Sequence, residues 1–150
     1  MVQEPHHDCY TYALRYIHLY PKTEKELRAK LLEKWYPEKH VDETMQVLKE
    51  KKYVDDNVFA RLYIESELVK KGKPAYNVQQ KLYQKGVDRS IVQHTMQELE
   101  EDIWEWTKRK IEKEIEKYKD KWLDGFEIIQ KIAGKWYPIA SIKRVIRENQ

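Results

Sequence analysis

The tetrapeptide Lys-Trp-Tyr-Pro occurs twice, at 34–37 and at 135–138, and midway between the two lies Lys85-Gly86-Val87-Asp88. With Lys34, Lys85 and Lys135 as reference points, the chain falls into apolar columns three deep. Seven residues before the lysines stand Leu27, Val78 and Ile128; three before stand Leu31, Leu82 and Ile132. Seven after stand Val41, Val92 and Ile142; eleven after stand Met45, Met96 and Ile146. Within each pair of columns the spacing is four, which puts the members on one helical face. A frame repeated at this interval limits the chain to tandem copies of one supersecondary unit.

Punctuation gives the unit its shape. Pro21, Pro37, Gly72, Pro74, Gly86, Gly125, Gly134 and Pro138 all fall between apolar-periodic stretches, and no strand-like alternation of any length occurs. The stretches predict helices near 23–35 and 37–51, 75–85 and 88–101, and 125–134 and 138–148. A further helix precedes each pair, at about 9–20, 56–71 and 102–122. Thr23 with Glu26, and Asp124 with Glu127, have capping-box spacing, and Asp55-Asp56 marks a helix start. The first helices of copies one and two share a motif, Tyr12-Ala13-Leu14-Arg15-Tyr16 and Phe59-Ala60-Arg61-Leu62-Tyr63. The third is longer, with an expected apolar seam of Trp104, Ile111, Ile115, Tyr118 and Trp122. The expected fold is all-α: three tandem three-helix units (9–54, 55–102 and 103–150) in an elongated array behind a flexible tail, 1–8. A unit of this size buries little alone, and stacked units share cores and expose one long face where function resides.

Charged residues make up 37% of the chain, yet aromatic and branched apolar residues recur throughout, so the composition is that of a folded, water-facing protein. No apolar run reaches bilayer length, and MVQEPHHDCY lacks the basic and apolar regions of a secretion signal. Cys9 is the only cysteine, which leaves no internal disulfide framework. Together these features predict a cytoplasmic protein without a membrane partner. The net charge of +3 is uneven: residues 9–54 carry +3, 55–102 carry −2 and 103–150 carry +4. That footprint is modest beside a dedicated DNA-binding domain.

Catalytic and metal motifs are missing. There is no phosphate-cradling glycine loop, no H-E-x-x-H and no nucleophile elbow, so neither an enzyme nor a cofactor is expected. His6-His7-Asp8-Cys9 are adjacent in sequence and cannot all turn toward one ion, which leaves the segment as a terminal tail. The acids at Asp55-Asp56 and Glu100-Glu101-Asp102 sit at helix boundaries, where capping and solvation account for them. Trp35, Tyr36, Trp136 and Tyr137 beside lysines have the look of a base-stacking patch, but at helix ends aromatics fill gaps between helices, and packing is the expected role. Lys108 to Lys121 interleaves with acids as a solvated face. The densest basic cluster is Lys70-Lys71-Gly72-Lys73; with Arg61, Lys81, Lys85 and Arg89 it forms a candidate stripe on the middle unit.

These residues carry a resemblance. Tyr53-Val54-Asp55-Asp56-Asn57-Val58-Phe59-Ala60-Arg61-Leu62-Tyr63, then Lys71-Gly72-Lys73-Pro74, Val78, Leu82 and Lys85-Gly86-Val87-Asp88, resemble the signature of the RecX family. The first unit agrees, through Tyr12 to Tyr16 and Glu26-Leu27-Arg28-Ala29-Lys30-Leu31. The match is best over 10–100. The resemblance implies a curved, elongated molecule that regulates the RecA recombinase, lodging in the groove of the RecA–DNA filament and bridging subunits; a monomer is expected, since a repeat array needs no partner copy to close its core. It implies a negative regulator that limits filament growth, ATP hydrolysis, strand exchange and the co-protease activity of the SOS response. Arg61, Lys70, Lys71, Lys73, Lys81, Lys85 and Arg89 are then the expected partner-binding residues, facing acidic RecA surface or filament DNA. Two alternatives stay open: a stand-alone helical nucleic-acid-binding module, and a protein–protein scaffold unrelated to recombination. The sequence departs from the family pattern in having Trp35 and Trp136 where the middle turn has Gly86. Glycine permits a left-handed cap there, so the two tryptophan turns are expected to be built differently.

Overall fold

A computed structural model of the chain describes residues 7–135 and 137–149. Among the described residues the regular structure is helical throughout, with no strand. The helices are α1 (His7–Leu19), α2 (Glu24–Glu33), α3 (Glu38–Glu50), α4 (Asp56–Ile64), α5 (Ala75–Gln84), α6 (Arg89–Glu98), α7 (Glu100–Glu116), α8 (Gly125–Ala133) and α9 (Ile139–Glu148). α4 runs on without a break into a π-helical segment, Glu65–Lys70. α1 starts at His7, inside the stretch expected as tail. The rest of that tail, and Trp136, lie outside the described residues.

The helix starts follow from local chemistry. Thr23 caps α2 as a full capping box: the Glu26 amide donates to Thr23 Oγ1 (3.2 Å), and the Thr23 amide donates to Glu26 Oε1 (3.2 Å). Asp124 and Glu127 make the same pair of bonds at α8, at 2.8 and 3.3 Å. Asp55 and Asp88 cap α4 and α6 through the amides of Asn57 and Ser90, each at 2.9 Å. Glu100, Glu101 and Asp102 occupy the first turn of α7, where carboxylates suit the positive end of the helix dipole.

Three cores form, one for each copy of the frame. Leu27, Leu31, Val41 and Met45 close the first with Cys9, Ala13, Leu48 and Val54. Val78, Leu82 and Val92, with Met96 half-buried, close the second with Ala60, Ile64, Leu68, Val87 and Leu99. Ile132 and Ile142, with Ile128 and Ile146 half-buried, close the third with Ile111 and Val145. Each fully buried Leu or Ile contributes roughly 1.5–3 kcal/mol. α7 serves two cores: Ile103 packs on the second, Trp104, Ile111 and Ile115 on the third. It crosses the boundary expected at 102 and packs against α6, the π-helical segment, α8 and α9.

Three expectations need correction. The third-unit helix stops at Glu116, and residues 117–122 form tight turns in which amides bond three residues back, as from Tyr118 to Ile115 (2.9 Å) and from Lys121 to Tyr118 (3.2 Å). Trp122, expected at the end of the seam, is 99% exposed with φ 56°. The change of direction brings the chain to the Asp124 cap, so the seam ends at Tyr118. Trp35, expected to pack, is 92% exposed, whereas Tyr36 and Tyr137 do pack on their cores. Trp35 also adopts the left-handed conformation, φ 68°, as Gly86 does at φ 90°. The first and middle turns are therefore built alike. The glycine has another cause: a Cβ on Gly86 would lie 2.5 Å from Cβ of Lys25 in the neighbouring unit. The Trp35 turn meets no such neighbour, and its indole extends into solvent.

Candidate functional site

The repeated lysine of each turn has a structural task. Nζ of Lys34 sits 5.8 Å from the ring centroid of Tyr12, and Nζ of Lys85 sits 5.8 Å from Tyr63 and 6.0 Å from Phe59. These rings belong to matching parallel pairs, Tyr12 with Tyr16 (6.0 Å) and Phe59 with Tyr63 (5.9 Å). In the third copy Lys135 pairs instead with Glu114 at 2.6 Å, and this hydrogen bond raises the lysine's pKa. Each lysine thus closes its turn against the first helix of its own unit, by cation–π attraction or by charge pairing.

Lys85 does more. Its Nζ is 3.3 Å from Glu26 Oε2, and its carbonyl oxygen accepts a hydrogen bond from the fully buried Thr23 hydroxyl. Beside it, the Glu24 amide donates to Asp56 Oδ1 at 2.9 Å, and Lys49 Nζ pairs with Glu24 at 2.9 Å. Burial pushes the Asp56 carboxyl above its usual range, and the Glu24 amide pulls it back. The Thr23–Lys85, Glu26–Lys85 and Glu24–Asp56 contacts join the first unit to the second, with Gly86 pressed on Lys25 among them, and the Lys49–Glu24 pair braces the joint from within the first unit.

The other basic residues of the middle unit fall into separate groups. Lys71 (2.8 Å) and Lys73 both pair with Glu67, whose side chain is only 12% exposed, and together they hold its carboxyl below the usual range, Lys71 being the larger cause. Arg61 pairs with Glu98 across to α6, and Glu98 also meets His94 at 2.8 Å. The Arg89 guanidinium lies 5.2 Å from the ring of Tyr83. Among the described residues Lys70 and Lys81 are exposed and make no ion pair. Lys70 borders a cleft of about 340 Å³ with Glu65, Asp102, Trp106 and Arg109. Lys70, Lys71 and Lys73 are thus brought together at the end of the π-helical segment. Lys81 and Arg89 flank the α5–α6 turn, Arg61 stands apart, and Lys85 is half-buried at the joint.

A second cleft, of about 330 Å³, opens between the first two units. Ile17, Lys22, Lys52 and Tyr53 of the first unit line it with Val58, Phe59, Leu62 and Tyr63 of the second. Tyr53, Val58 and Leu62 are each more than half exposed. Sequence reasoning missed this feature. Its signal was the i, i+4 pair Val58 and Leu62, apolar on the side of α4 opposite Ala60 and Ile64.

Among the described residues no group of three His, Cys, Asp or Glu stands placed to hold a metal ion, and no helix is long and apolar enough to cross a membrane. Cys9 lies in the first core, where burial raises its thiol pKa and suppresses the reactive thiolate.

Known proteins match this architecture. The solved structure of RecX from Lactobacillus salivarius superposes with a TM-score of 0.75 over 94% of each chain, at 22% identity. A second solved regulatory protein RecX gives 0.68 over 93% of this chain and 70% of the other, at 20% identity. At that identity the likeness shows the fold. In sequence, the regulatory protein RecX of Oceanobacillus iheyensis is 34% identical over 111 residues, 74% of this chain and 40% of its own length. That of Clostridium acetobutylicum is 29% identical over 143 residues, 91% of this chain and 66% of its own. The chain thus spans less than two thirds of the length of these relatives. Residues 9–48 match the model of the first RecX three-helix domain, and residues 55–96 match the second. Two different domains matched in the family's own order, over more than half of the sequence and on the helices that build the first two cores, establish that this chain belongs to the RecX family.

Proposed function

We propose that this protein is a negative regulator of the RecA recombinase, acting on the RecA–DNA filament to limit its growth. The tandem match to the first and second RecX domains carries this reading. In it, successive units touch successive filament subunits, so affinity rises only when the filament is assembled, by the effective-concentration gain of linked contacts. Lys70, Lys71 and Lys73 at one end of the middle unit, and Lys81 and Arg89 beside the α5–α6 turn, face acidic RecA surface or filament DNA. Arg61 lends its charge from α4, and Lys85 holds the first unit against the second so that both present together.

RecA filaments on single-stranded DNA, with ATP hydrolysis as the readout, test the proposal. Stoichiometric protein should suppress hydrolysis, and RecA should be captured more strongly when DNA and nucleotide are present. Absence of binding and unchanged hydrolysis refute it. Tight binding to naked DNA without RecA, falling steeply with salt, would instead point to a stand-alone nucleic-acid module. Charge reversal of Lys70, Lys71 and Lys73 should weaken inhibition. Reversal of Lys70 and Lys81 is the cleaner variant, because neither makes an ion pair among the described residues.

A further inference from the structure

We infer that the cleft between the first and second units is a docking site for a short protein segment that presents an apolar anchor side chain next to a carboxylate. The owner of that segment, RecA, rests on the functional reading above; the chemistry of the segment rests on the cleft alone.

Three exposed apolar side chains converge there: Tyr53, Val58 and Leu62, at 56%, 53% and 58% exposure. Half-buried Ile17, Phe59 and Tyr63 complete the lining. Contiguous apolar surface shared by two units, with polar residues around it, marks an interaction site rather than the scatter of single exposed hydrophobics found on any protein. A volume of about 330 Å³ lies at the small end of ligand pockets. It suits one or two large side chains from an extended segment.

The rim sets the charge of the occupant. Lys22 and Lys52 stand at the cleft and make no ion pair among the described residues. The one acid in the lining, Asp55, already uses its carboxylate to accept the Asn57 amide at 2.9 Å as the cap of α4. A carboxylate beside the anchor finds two ammonium groups without a carboxylate partner among the described residues, Lys22 resting 6.0 Å from the Tyr16 ring, against the single acid Asp55. The first unit's side of the cleft is also held firmly. Lys52 takes the left-handed conformation, φ 58°, and the Tyr53 amide bonds back to the Leu48 carbonyl at 2.9 Å. Lys52 and Tyr53 are therefore presented by fixed backbone, which lowers the ordering cost of binding. A nucleobase fits less well, because Val58 and Leu62 would leave its polar edges unpaired.

Co-sedimentation of this protein with RecA filaments on poly(dT) tests the inference. Leu62→Glu and Val58→Glu should each weaken binding about tenfold, while Leu62→Met retains it; all three should keep the parent's circular dichroism melting curve, since both sites are more than half exposed. The double variant Lys22→Glu with Lys52→Glu should weaken binding about three- to tenfold, most at low salt. If the parent protein binds and the glutamate variants bind equally well, the cleft is not the site, although the filament reading stands. If the parent protein does not bind, both fall. In a separate arm, Val58→Cys carrying a benzophenone maleimide (Cys9 is buried and unlabelled) should crosslink to a RecA peptide with Asp or Glu within a few residues of the crosslink. A crosslink to DNA, or to a second copy of this chain, overturns the inference.

Discussion

Replacing Thr23 by Val removes one hydroxyl, keeps the side-chain volume and strikes two places at once. Oγ1 accepts the Glu26 amide at 3.2 Å, which is the cap of α2. The same hydroxyl donates to the Lys85 carbonyl, which belongs to the next unit. Loss of a threonine cap costs about 1 kcal/mol, within 0.5–2. Loss of the donor to a half-buried carbonyl adds roughly 1–3 kcal/mol, because a group shielded from water is left unpaired. The Glu24–Asp56 and Glu26–Lys85 contacts persist, so the joint weakens without dissolving. The expected total is about 2–4 kcal/mol. Urea unfolding followed by circular dichroism should show this as a midpoint lowered by about 1–2 M, given slopes of about 1–3 kcal/mol/M. Thr23→Ser keeps the hydroxyl and should stay within about 1 kcal/mol of the parent. A loss below about 0.5 kcal/mol for Thr23→Val, or an equal loss for Thr23→Ser, would show that the hydroxyl does not tie the two units.

Glu67 bears on acid stability. Lys71 and Lys73 hold its carboxyl below the usual range, so its contribution is complete above the unfolded value near 4.3 and is lost as pH falls through the folded value; Glu67→Gln should flatten the acid limb of a pH–stability curve, and an unchanged slope would refute the pairing. Trp35→Gly should leave stability unchanged or raise it by up to about 1 kcal/mol in thermal melts, since it relieves left-handed strain and sacrifices a side chain that is 92% exposed; a loss above 1 kcal/mol would mean that the indole packs in solution. Gly72→Ala should cost more than the 1–2 kcal/mol of left-handed strain, because its Cβ would collide with Trp106 Cη2; chemical denaturation measures this. Gly86→Ala should destabilise too and widen the joint, read as a larger radius of gyration by small-angle X-ray scattering.

Much of this fold is legible in the sequence because its signals are local or periodic. The columns around Lys34, Lys85 and Lys135 are a single-helix property, and all twelve positions lie in or against the cores. The capping boxes at Thr23 and Asp124 need only four consecutive residues to be read. Other features depend on a neighbour that sequence spacing does not reveal. Gly86 is glycine because of Lys25, sixty-one residues away. Asp56 sits beside a cap, yet serves the amide of Glu24 in another unit. The seven basic residues of the middle unit were visible as a charge pattern; that Lys71 and Lys73 share one partner, and that Lys85 is half-buried, follows from where acids and rings arrive in three dimensions. The exposed apolar line through Tyr53, Val58 and Leu62 was hidden in the family-like signature, where core and surface residues alternate within one helix.

The sharing of α7 between two cores means that the repeats are not interchangeable beads. At about 1.5 Å per residue, its 17 residues make a rod of roughly 25 Å. One end is embedded beside Leu99 and Ile103, the other beside Ile111 and Ile115. Trp106, near its middle, is seated over Gly72 at the end of the π-helical segment. A ligand that tilts the third unit therefore turns an axle whose indole bears on the segment carrying Lys70, Lys71 and Lys73. The first unit has no such axle and is joined to the second through the Thr23–Lys85, Glu26–Lys85 and Glu24–Asp56 contacts.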